Sequence, residues 1–234
     1  MIYADKVKTN REVFIAKVRA ISQRLGIEPE WMMQVFMQES SMNHQAVNPI
    51  SGATGLIQFM PNTAISLGTT VAALKTMTNV QQLDWVEKYF RPYTGRMNCY
   101  VDVYFTVFFP LAVGKPDDWV LQTSTQSAAL IARQNSIYDL NKDGKLTVAE
   151  VREAILRKVP AEWRAFFIKK KQKLQSEPEQ SFSSQPPTQH GDGLEIPETV
   201  FNQENETEEP KTIVGVAQKL IEKIKNPKTK KSKK

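Results

Sequence analysis

The chain has 234 residues, which is enough for one domain with a sizeable core and additional segments. Hydrophobic residues make up 41% of it, and the single cysteine, Cys99, excludes an intramolecular disulfide. Folding is therefore expected not to depend on an oxidising compartment. The formal net charge is +6, but acidic and basic residues are concentrated in separate parts of the chain.

The N-terminal residues, MIYADKVKTNREVF, are charged and contain no apolar core of a signal peptide. No run approaches the roughly 20 apolar residues that span a bilayer. We therefore expect a soluble protein that is made in the cytoplasm and is delivered by another component to any substrate outside the cell.

Charge divides the chain into three regions. Residues 175–210 carry nine acidic residues and no Lys or Arg, whereas residues 211–234 carry nine Lys and one Glu. The acidic region is also polar and rich in proline, which is typical of disorder. We predict a folded domain over 1–174, a disordered acidic linker over 175–211, and an amphipathic helix with a basic tail over 212–234.

Apolar residues recur at helical spacing through most of the predicted domain, which indicates a mainly α fold. Pro29 and Pro61 suit first helical positions. The run CYVDVYFTVFF, before Pro110, is predicted as a helix, although its β-branched and aromatic residues also suit a strand. A short hairpin is expected near 43–58. Helices are predicted over 11–25, 29–39, 60–67, 81–93, 99–109, 126–138, 148–158 and 163–174.

The second predicted helix carries a carboxylate on its apolar face. Met32, Val35, Phe36 and Glu39 lie at positions i, i+3, i+4 and i+7, so Glu39 continues an apolar stripe. Partial desolvation favours the neutral form of a carboxylic acid and raises its pKa. Such an acid can donate a proton to a leaving group near neutral pH. The alternative is an ordinary glutamate at the core edge that caps a neighbouring loop.

The residues that follow Glu39 form an ordered set of short motifs. These are Glu39-Ser40, Ala46, Gly52-Ala53-Thr54-Gly55-Leu56-Ile57-Gln58, Met60-Pro61 and Thr63-Ala64. In order and spacing this set resembles the SLT-type, lysozyme-like domain of the lytic transglycosylases, which cleave bacterial peptidoglycan. The resemblance is strongest over 29–68 and extends more weakly to about residue 170.

The resemblance implies a lysozyme-like fold with a single acid/base. Glu39 would protonate the glycosidic oxygen between MurNAc and GlcNAc, and would then take the proton of the muramoyl C6 hydroxyl as a 1,6-anhydro ring closes. Most glycosidases need a second carboxylate. None occurs in 40–64, but Asp84 or Asp102 leaves a hydrolytic lysozyme open. The residues expected to contact the glycan are Ser40, Gly55, Gln58 and Met60.

The chain departs from this family at a third motif, Ala-Tyr-Asn-Ala-Gly, whose tyrosine helps to position the catalytic glutamate. The corresponding region is FTVFFPLAVGK, where Phe109 and Pro110 replace the tyrosine and asparagine. Tyr100 or Tyr104 could supply the hydroxyl instead. The departure leaves a non-catalytic calcium-binding or glycan-binding virion structural module as the rival interpretation.

Two further strings, VEKYFRPY and GKPDDWV, resemble parts of lysozyme-like proteins of phages and mobile elements. They indicate a subfamily variant. We also expect a monomer that acts on peptidoglycan glycan strands at the bacterial cell wall, in a virion or mobile-element assembly. The Lys-rich tail suits contact with an anionic wall polymer, a membrane or nucleic acid, and equally a solubilising role.

Residues 139–150, DLNKDGKLTVAE, match an EF-hand calcium loop, with Gly144 at the sixth position and the apolar Leu146 at the eighth. No second loop is present, so a structural Ca²⁺ that joins two helices is expected instead of a sensor. Some lytic transglycosylases carry one such site. A turn without metal is the alternative. The predicted ligands are Asp139, Asn141, Asp143, the carbonyl of Lys145, Thr147 and Glu150.

Overall fold

The structure is a computed structural model that describes residues 1–169. This part of the chain is mainly helical, as predicted. The predicted linker over 175–211, the helix and basic tail over 212–234, and the end of the predicted helix over 163–174 lie outside the described residues.

Nine α-helices occur within residues 1–169, each close to a predicted segment except α4, which was not predicted. The apolar run before Pro110 is the helix α6. Helices α1 to α9 span Arg11–Leu25, Pro29–Ser40, Pro61–Ser66, Val71–Thr76, Asn79–Phe90, Tyr100–Phe108, Ala128–Gln134, Val148–Arg157 and Arg164–Ile168. None of them is long and apolar enough to cross a membrane.

Local sequence signals explain where the central helices begin and end. Gly26, in the left-handed conformation with φ 68°, ends α1, and Pro29 opens α2 three residues later. Thr78 and Gln81 form a capping box at the start of α5. The side chain of Thr70 caps the six-residue helix α4. The helix is too short for a pattern of apolar residues to predict it.

Helix α2 runs through the centre of the domain. Nearly every residue between Trp31 and Phe36 is fully buried, because α1 covers one side and α6 the other. The ring of Phe36 packs against Phe14 of α1 with centroids 6.0 Å apart. Helix α6 is mostly apolar and packs against α2, and its residues from Tyr100 to Thr106, Asp102 included, are buried.

The predicted hairpin near 43–58 is a compact loop instead. Two isolated antiparallel bridges join Thr54 to Val47 and to Phe59, and no strand extends from either within the described residues. Left-handed residues, among them Gly52 and Gly55, keep the chain turning and so prevent a ladder from growing. The loop closes against the C-terminal end of α2.

Candidate active site

Glu39 lies in the last turn of α2, and only 5% of it is exposed. Burial withholds water from the carboxylate and raises its pKa from 4.5 to about 7, while the ammonium of Lys158 acts in the opposite direction. The side chain is therefore half-protonated near neutral pH. A carboxylic acid in this state can both give and take a proton without a large energetic penalty.

Three tyrosines from two helices lie within electrostatic range of the carboxylate. Tyr89 of α5 and Tyr100 and Tyr104 of α6 all interact electrostatically with Glu39, and burial raises the pKa of each phenol. These hydroxyls remain neutral. Tyr100 and Tyr104, which the sequence offered as substitutes for the missing tyrosine motif, are thus both close to Glu39.

Ser40 fastens the end of α2 to the glycine-rich loop. Its hydroxyl lies 3.0 Å from the carbonyl oxygen of Phe36 and 3.0 Å from that of Leu56. The hydroxyl is buried, and its bond to Leu56 holds the loop beside Glu39. The predicted contact of Ser40 with glycan stays a prediction.

Gly55 lies directly against the buried side chain of Gln82, which leaves no space for a Cβ at position 55. No sequence motif indicated Gln82. The φ of Gly55 is +87°, and a Cβ placed there would lie 2.6 Å from Oε1 of Gln82. That oxygen accepts a hydrogen bond from the Leu56 amide at 3.0 Å. Nε2 of Gln82 donates to the carbonyls of His44 and Leu74 at 2.5 and 2.7 Å. Gln82 thus ties the loop to α5.

The other predicted glycan contacts, Gln58 and Met60, belong to the same loop. Gln58 is left-handed with φ 52°, and its Nε2 donates to the Gly55 carbonyl at 3.0 Å. Met60 is half-buried at the N-cap of α3. Gly55, Gln58 and Met60 are therefore on one short segment, and Ser40, the fourth predicted contact, joins that segment to the end of α2.

Neither of the two carboxylates considered as a second catalytic group acts on Glu39. Asp84 of α5 pairs with Lys17 of α1 at 2.7 Å. Asp102 is buried and accepts hydrogen bonds from the amides of Asn98 and Gly114 at 2.8 and 3.0 Å. The only charged group in residues 1–169 that shifts the pKa of Glu39 is a cation, Lys158.

The predicted calcium loop has the internal hydrogen bonds that an EF-hand needs. The Asp139 carboxylate accepts the amides of Asp143 and Gly144, each at 3.1 Å. Oδ1 of Asn141 accepts the Asp143 amide at 2.9 Å, and Oδ1 of Asp143 accepts the Lys145 amide at 2.9 Å. With Gly144 at φ 78°, the oxygens of the first, third and fifth positions all turn into the loop.

Glu150, at the twelfth position, is engaged in capping α8. Its Oε2 accepts from the Thr147 amide at 2.9 Å, and its Oε1 accepts from the Leu140 amide at 3.2 Å. In the part of the chain that the structure describes, no three His, Cys, Asp or Glu side chains converge enough to hold a metal. Asp139, Asn141 and Asp143 have the oxygen donors that Ca²⁺ prefers, while both oxygens of Glu150 accept capping hydrogen bonds.

A segment outside the loop supports its short extended part. The Leu121 amide donates to the Leu146 carbonyl at 2.8 Å, and the Val148 amide donates to the Trp119 carbonyl at 3.0 Å. This backbone pairing takes the place that a second EF-hand loop would fill, and it anchors the start of α8.

The functional residues that sequence reasoning missed are Gln82, Lys158 and Tyr138. Tyr138 immediately precedes the calcium loop, and its hydroxyl lies 2.7 Å from that of Tyr104. Each of the three is far from Glu39 in the sequence, so the spacing of residues around Glu39 could not indicate it.

One family model matches part of the chain. Residues 17–88 match the family model of the transglycosylase SLT domain. The matched segment contains Glu39, the four predicted glycan contacts and Gln82. Neither the curated proteins nor the solved structures gave a match.

Proposed function

We propose that the protein cleaves the β-1,4 bond between MurNAc and GlcNAc with Glu39 as its single acid/base. The match of residues 17–88 to the family model of the transglycosylase SLT domain supports this proposal. Members of this family are lytic transglycosylases, so the protein is an enzyme of the lysozyme-like glycosidase type that acts on the peptidoglycan of the cell wall. The proposed products carry 1,6-anhydro-MurNAc ends.

The burial of Glu39 carries the proposal. A carboxyl with a pKa of about 7 is a competent proton donor at neutral pH, whereas an exposed glutamate is ionised there and cannot donate. The apolar face of α2 and the tyrosines of α5 and α6 supply this environment. A glutamate that only capped a loop would not need it.

In the first step, the Glu39 carboxyl gives its proton to the glycosidic oxygen as the bond from C1 of MurNAc to that oxygen breaks. The GlcNAc part leaves as an alcohol, and Glu39 is left as a carboxylate. The acetamido oxygen of MurNAc balances the electron deficiency at C1. This internal group does the work for which most retaining enzymes use a second carboxylate.

In the second step, the C6 hydroxyl of the same sugar attacks C1 and displaces the acetamido oxygen. The Glu39 carboxylate takes the hydroxyl proton and returns to the carboxylic acid, so no water is consumed. Because Asp84 and Asp102 are engaged elsewhere, this internal route is favoured over a hydrolytic lysozyme reaction.

Digestion of purified peptidoglycan by the wild type and by Glu39→Gln tests the proposal. Glutamine keeps the size of the side chain but has no proton to donate, and general acid–base groups contribute about 10²–10⁴-fold to rate, so we expect at least a 10²-fold loss. Glu28→Gln, at the exposed start of the same helix, is the matched control and should keep its activity. An inactive wild type would instead favour a non-catalytic module.

We also propose that the loop over 139–150 holds one structural Ca²⁺. Asp139, Asn141, Asp143, Thr147 and Glu150 would supply side-chain oxygens, and Lys145 a carbonyl oxygen. The ion would neutralise the loop carboxylates and join the segment that ends at Tyr138 to α8. The hydrogen bonds that the Asp139, Asn141 and Asp143 side chains accept from amides inside the loop support this role.

The delivery of the enzyme is proposed from the sequence. The enzyme would act on peptidoglycan as a monomer, in a phage virion or mobile-element assembly, and the strings VEKYFRPY and GKPDDWV support the phage or mobile-element part of this proposal. The basic tail would contact an anionic wall polymer, a membrane or nucleic acid.

A further inference from the structure

Lys158 lies beside the end of α2 although it is more than a hundred residues from Glu39 in the sequence. It is the C-cap of α8, and its amide donates to the Ile155 carbonyl at 3.2 Å. The side chain of Gln38, the residue before Glu39, donates to the same carbonyl at 3.3 Å. This shared acceptor holds the C-terminal ends of α2 and α8 together.

The ammonium of Lys158 makes a cation–π contact with the ring of Tyr138. The nitrogen lies over the Tyr138 ring, 5.3 Å from its centroid. The Tyr138 hydroxyl is 2.7 Å from that of Tyr104, and the ring of Phe108 packs edge-on against Tyr138 at 5.1 Å. Tyr104 and Tyr138 are fully buried. A cation held over a ring in this way has a defined place instead of sampling solvent.

Lys158 is exposed as a residue, but its ammonium is partly desolvated. This desolvation by neighbouring protein atoms lowers the pKa of Lys158 to about 8. The amine is therefore still mostly protonated at neutral pH. The charges of Lys158 and Glu39 favour each other, since the cation lowers the pKa of Glu39 and the carboxylate raises that of Lys158.

The other titratable groups that face Glu39 are neutral. Tyr89 comes from α5, and Tyr100 and Tyr104 come from α6. Within residues 1–169, Lys158 is thus the one charged side chain that shifts the pKa of Glu39.

We infer that Lys158 is a positioning residue for Glu39, whose ammonium stabilises the carboxylate that forms when Glu39 protonates the glycosidic oxygen. The inference rests on the proposed function. Lys158 transfers no proton itself, because the proton moves from Glu39 to the leaving oxygen and later returns from the C6 hydroxyl. Its contribution is electrostatic, and it is largest while Glu39 is ionised.

The pH dependence of kcat on soluble peptidoglycan fragments tests this role. The alkaline limb of kcat reports ionisation of the acid in the bound complex. Lys158→Met removes the cation, so the pKa of Glu39 rises and the limb moves to higher pH. On the plateau, kcat should fall by about three- to tenfold, a minor part of the 10²–10⁴ that general acid catalysis contributes. Lys158→Arg should restore both the limb and the rate.

The matched control is Lys115→Met. Lys115 is an exposed lysine whose ammonium lies 5.7 Å over the Trp119 ring, so it has a similar aromatic contact without a charge effect on Glu39. This control should leave the pH profile unchanged. A Lys158→Met enzyme with the wild-type limb and kcat overturns the inference. A change confined to KM also overturns it, because Lys158 would then contact substrate only.

Melting temperatures separate loss of function from loss of fold. If Lys158→Met melts below the assay temperature, Lys158→Gln replaces it, and the same limb shift is required of that variant. If Glu39→Gln still cleaves, the proposed function fails. If Glu39→Gln is inactive and the neutral Lys158 variant retains the wild-type profile, only the role of Lys158 fails.

Discussion

At the scale of the residue, Glu39 combines a functional requirement with a cost in stability. Its folded-state pKa of about 7 lies above the ordinary value of 4.5 because burial disfavours the charge. Between these pH values the folded chain binds more protons than the unfolded chain, so stability falls as the pH rises through this window. The acid that the proposed reaction needs is therefore destabilising at neutral and higher pH.

This cost predicts how Glu39→Gln changes stability. A neutral glutamine avoids burying a charge, so the variant should resemble the wild type near pH 4 and exceed it increasingly up to about pH 7, by at most about 3 kcal/mol. Urea unfolding at a series of pH values measures the difference, with Glu28→Gln as the control for removing one negative charge. A gain in stability that does not depend on pH would contradict the assigned ionisation.

Gly55 illustrates a second requirement at this scale, a close approach between backbone and side chain. Gln82 is fully buried and makes three hydrogen bonds, so it cannot move away from an added Cβ. We expect Gly55→Ala to cost about 1–3 kcal/mol more than Gly114→Ala, through overpacking. Gly114 has a similar φ of +74° but no atom within 4 Å of an added Cβ, so it controls for backbone strain. Equal destabilisation in thermal melts would contradict the role of Gln82.

At the scale of the element, the calcium loop connects α8 to the candidate active site. Tyr138 precedes the loop and Lys158 follows α8, and the two stack on each other near Glu39. A metal that orders the loop should therefore also steady these side chains. The Thr147–Glu150 capping box and the backbone pairing with residues 119–121 already hold one end of this unit in place.

This arrangement predicts that Ca²⁺ raises the melting temperature of the domain. The full chain would be melted in calcium and in a chelator, and compared with Glu150→Gln. Glutamine can still serve in a capping box, so this variant should fold, but it removes one ligand charge and should need much more Ca²⁺ for the same stabilisation. Identical melting curves in calcium and chelator would count against the metal site.

At the scale of the whole molecule, the sequence predicts the features that depend on neighbouring residues, such as where a helix begins and which of its faces is buried. Helix α2 has its start marked by Pro29 and its buried face marked by apolar spacing, so the environment of Glu39 could be predicted. The bonds made by Gln82 and the position of Lys158 depend on how α5 and α8 pack against α2, and periodicity does not specify packing partners. The expected hairpin failed because alternation near 43–58 was interrupted by left-handed residues.

Tyr100 and Tyr104, the candidates to replace the tyrosine of the missing motif, also show which features are local and which depend on packing. Helical spacing puts Tyr100 and Tyr104 on one face of α6, but only the packing of α6 on α2 brings that face to Glu39. The match over residues 17–88 covers the loop and Glu39, the proposed acid/base, whereas Tyr104, Tyr138 and Lys158 lie beyond it. The site as a whole is therefore larger than the segment that identifies the family.

The measurement that tests the central claim most directly is the mass of products formed from peptidoglycan in water enriched in heavy oxygen. If Glu39 acts alone and the sugar closes on its own C6 hydroxyl, the wild type releases anhydromuropeptides without the label, and Glu39→Gln releases none. Reducing ends that carry the heavy oxygen would show attack by water. That result would contradict the single acid/base account and assign the enzyme to the hydrolytic lysozymes.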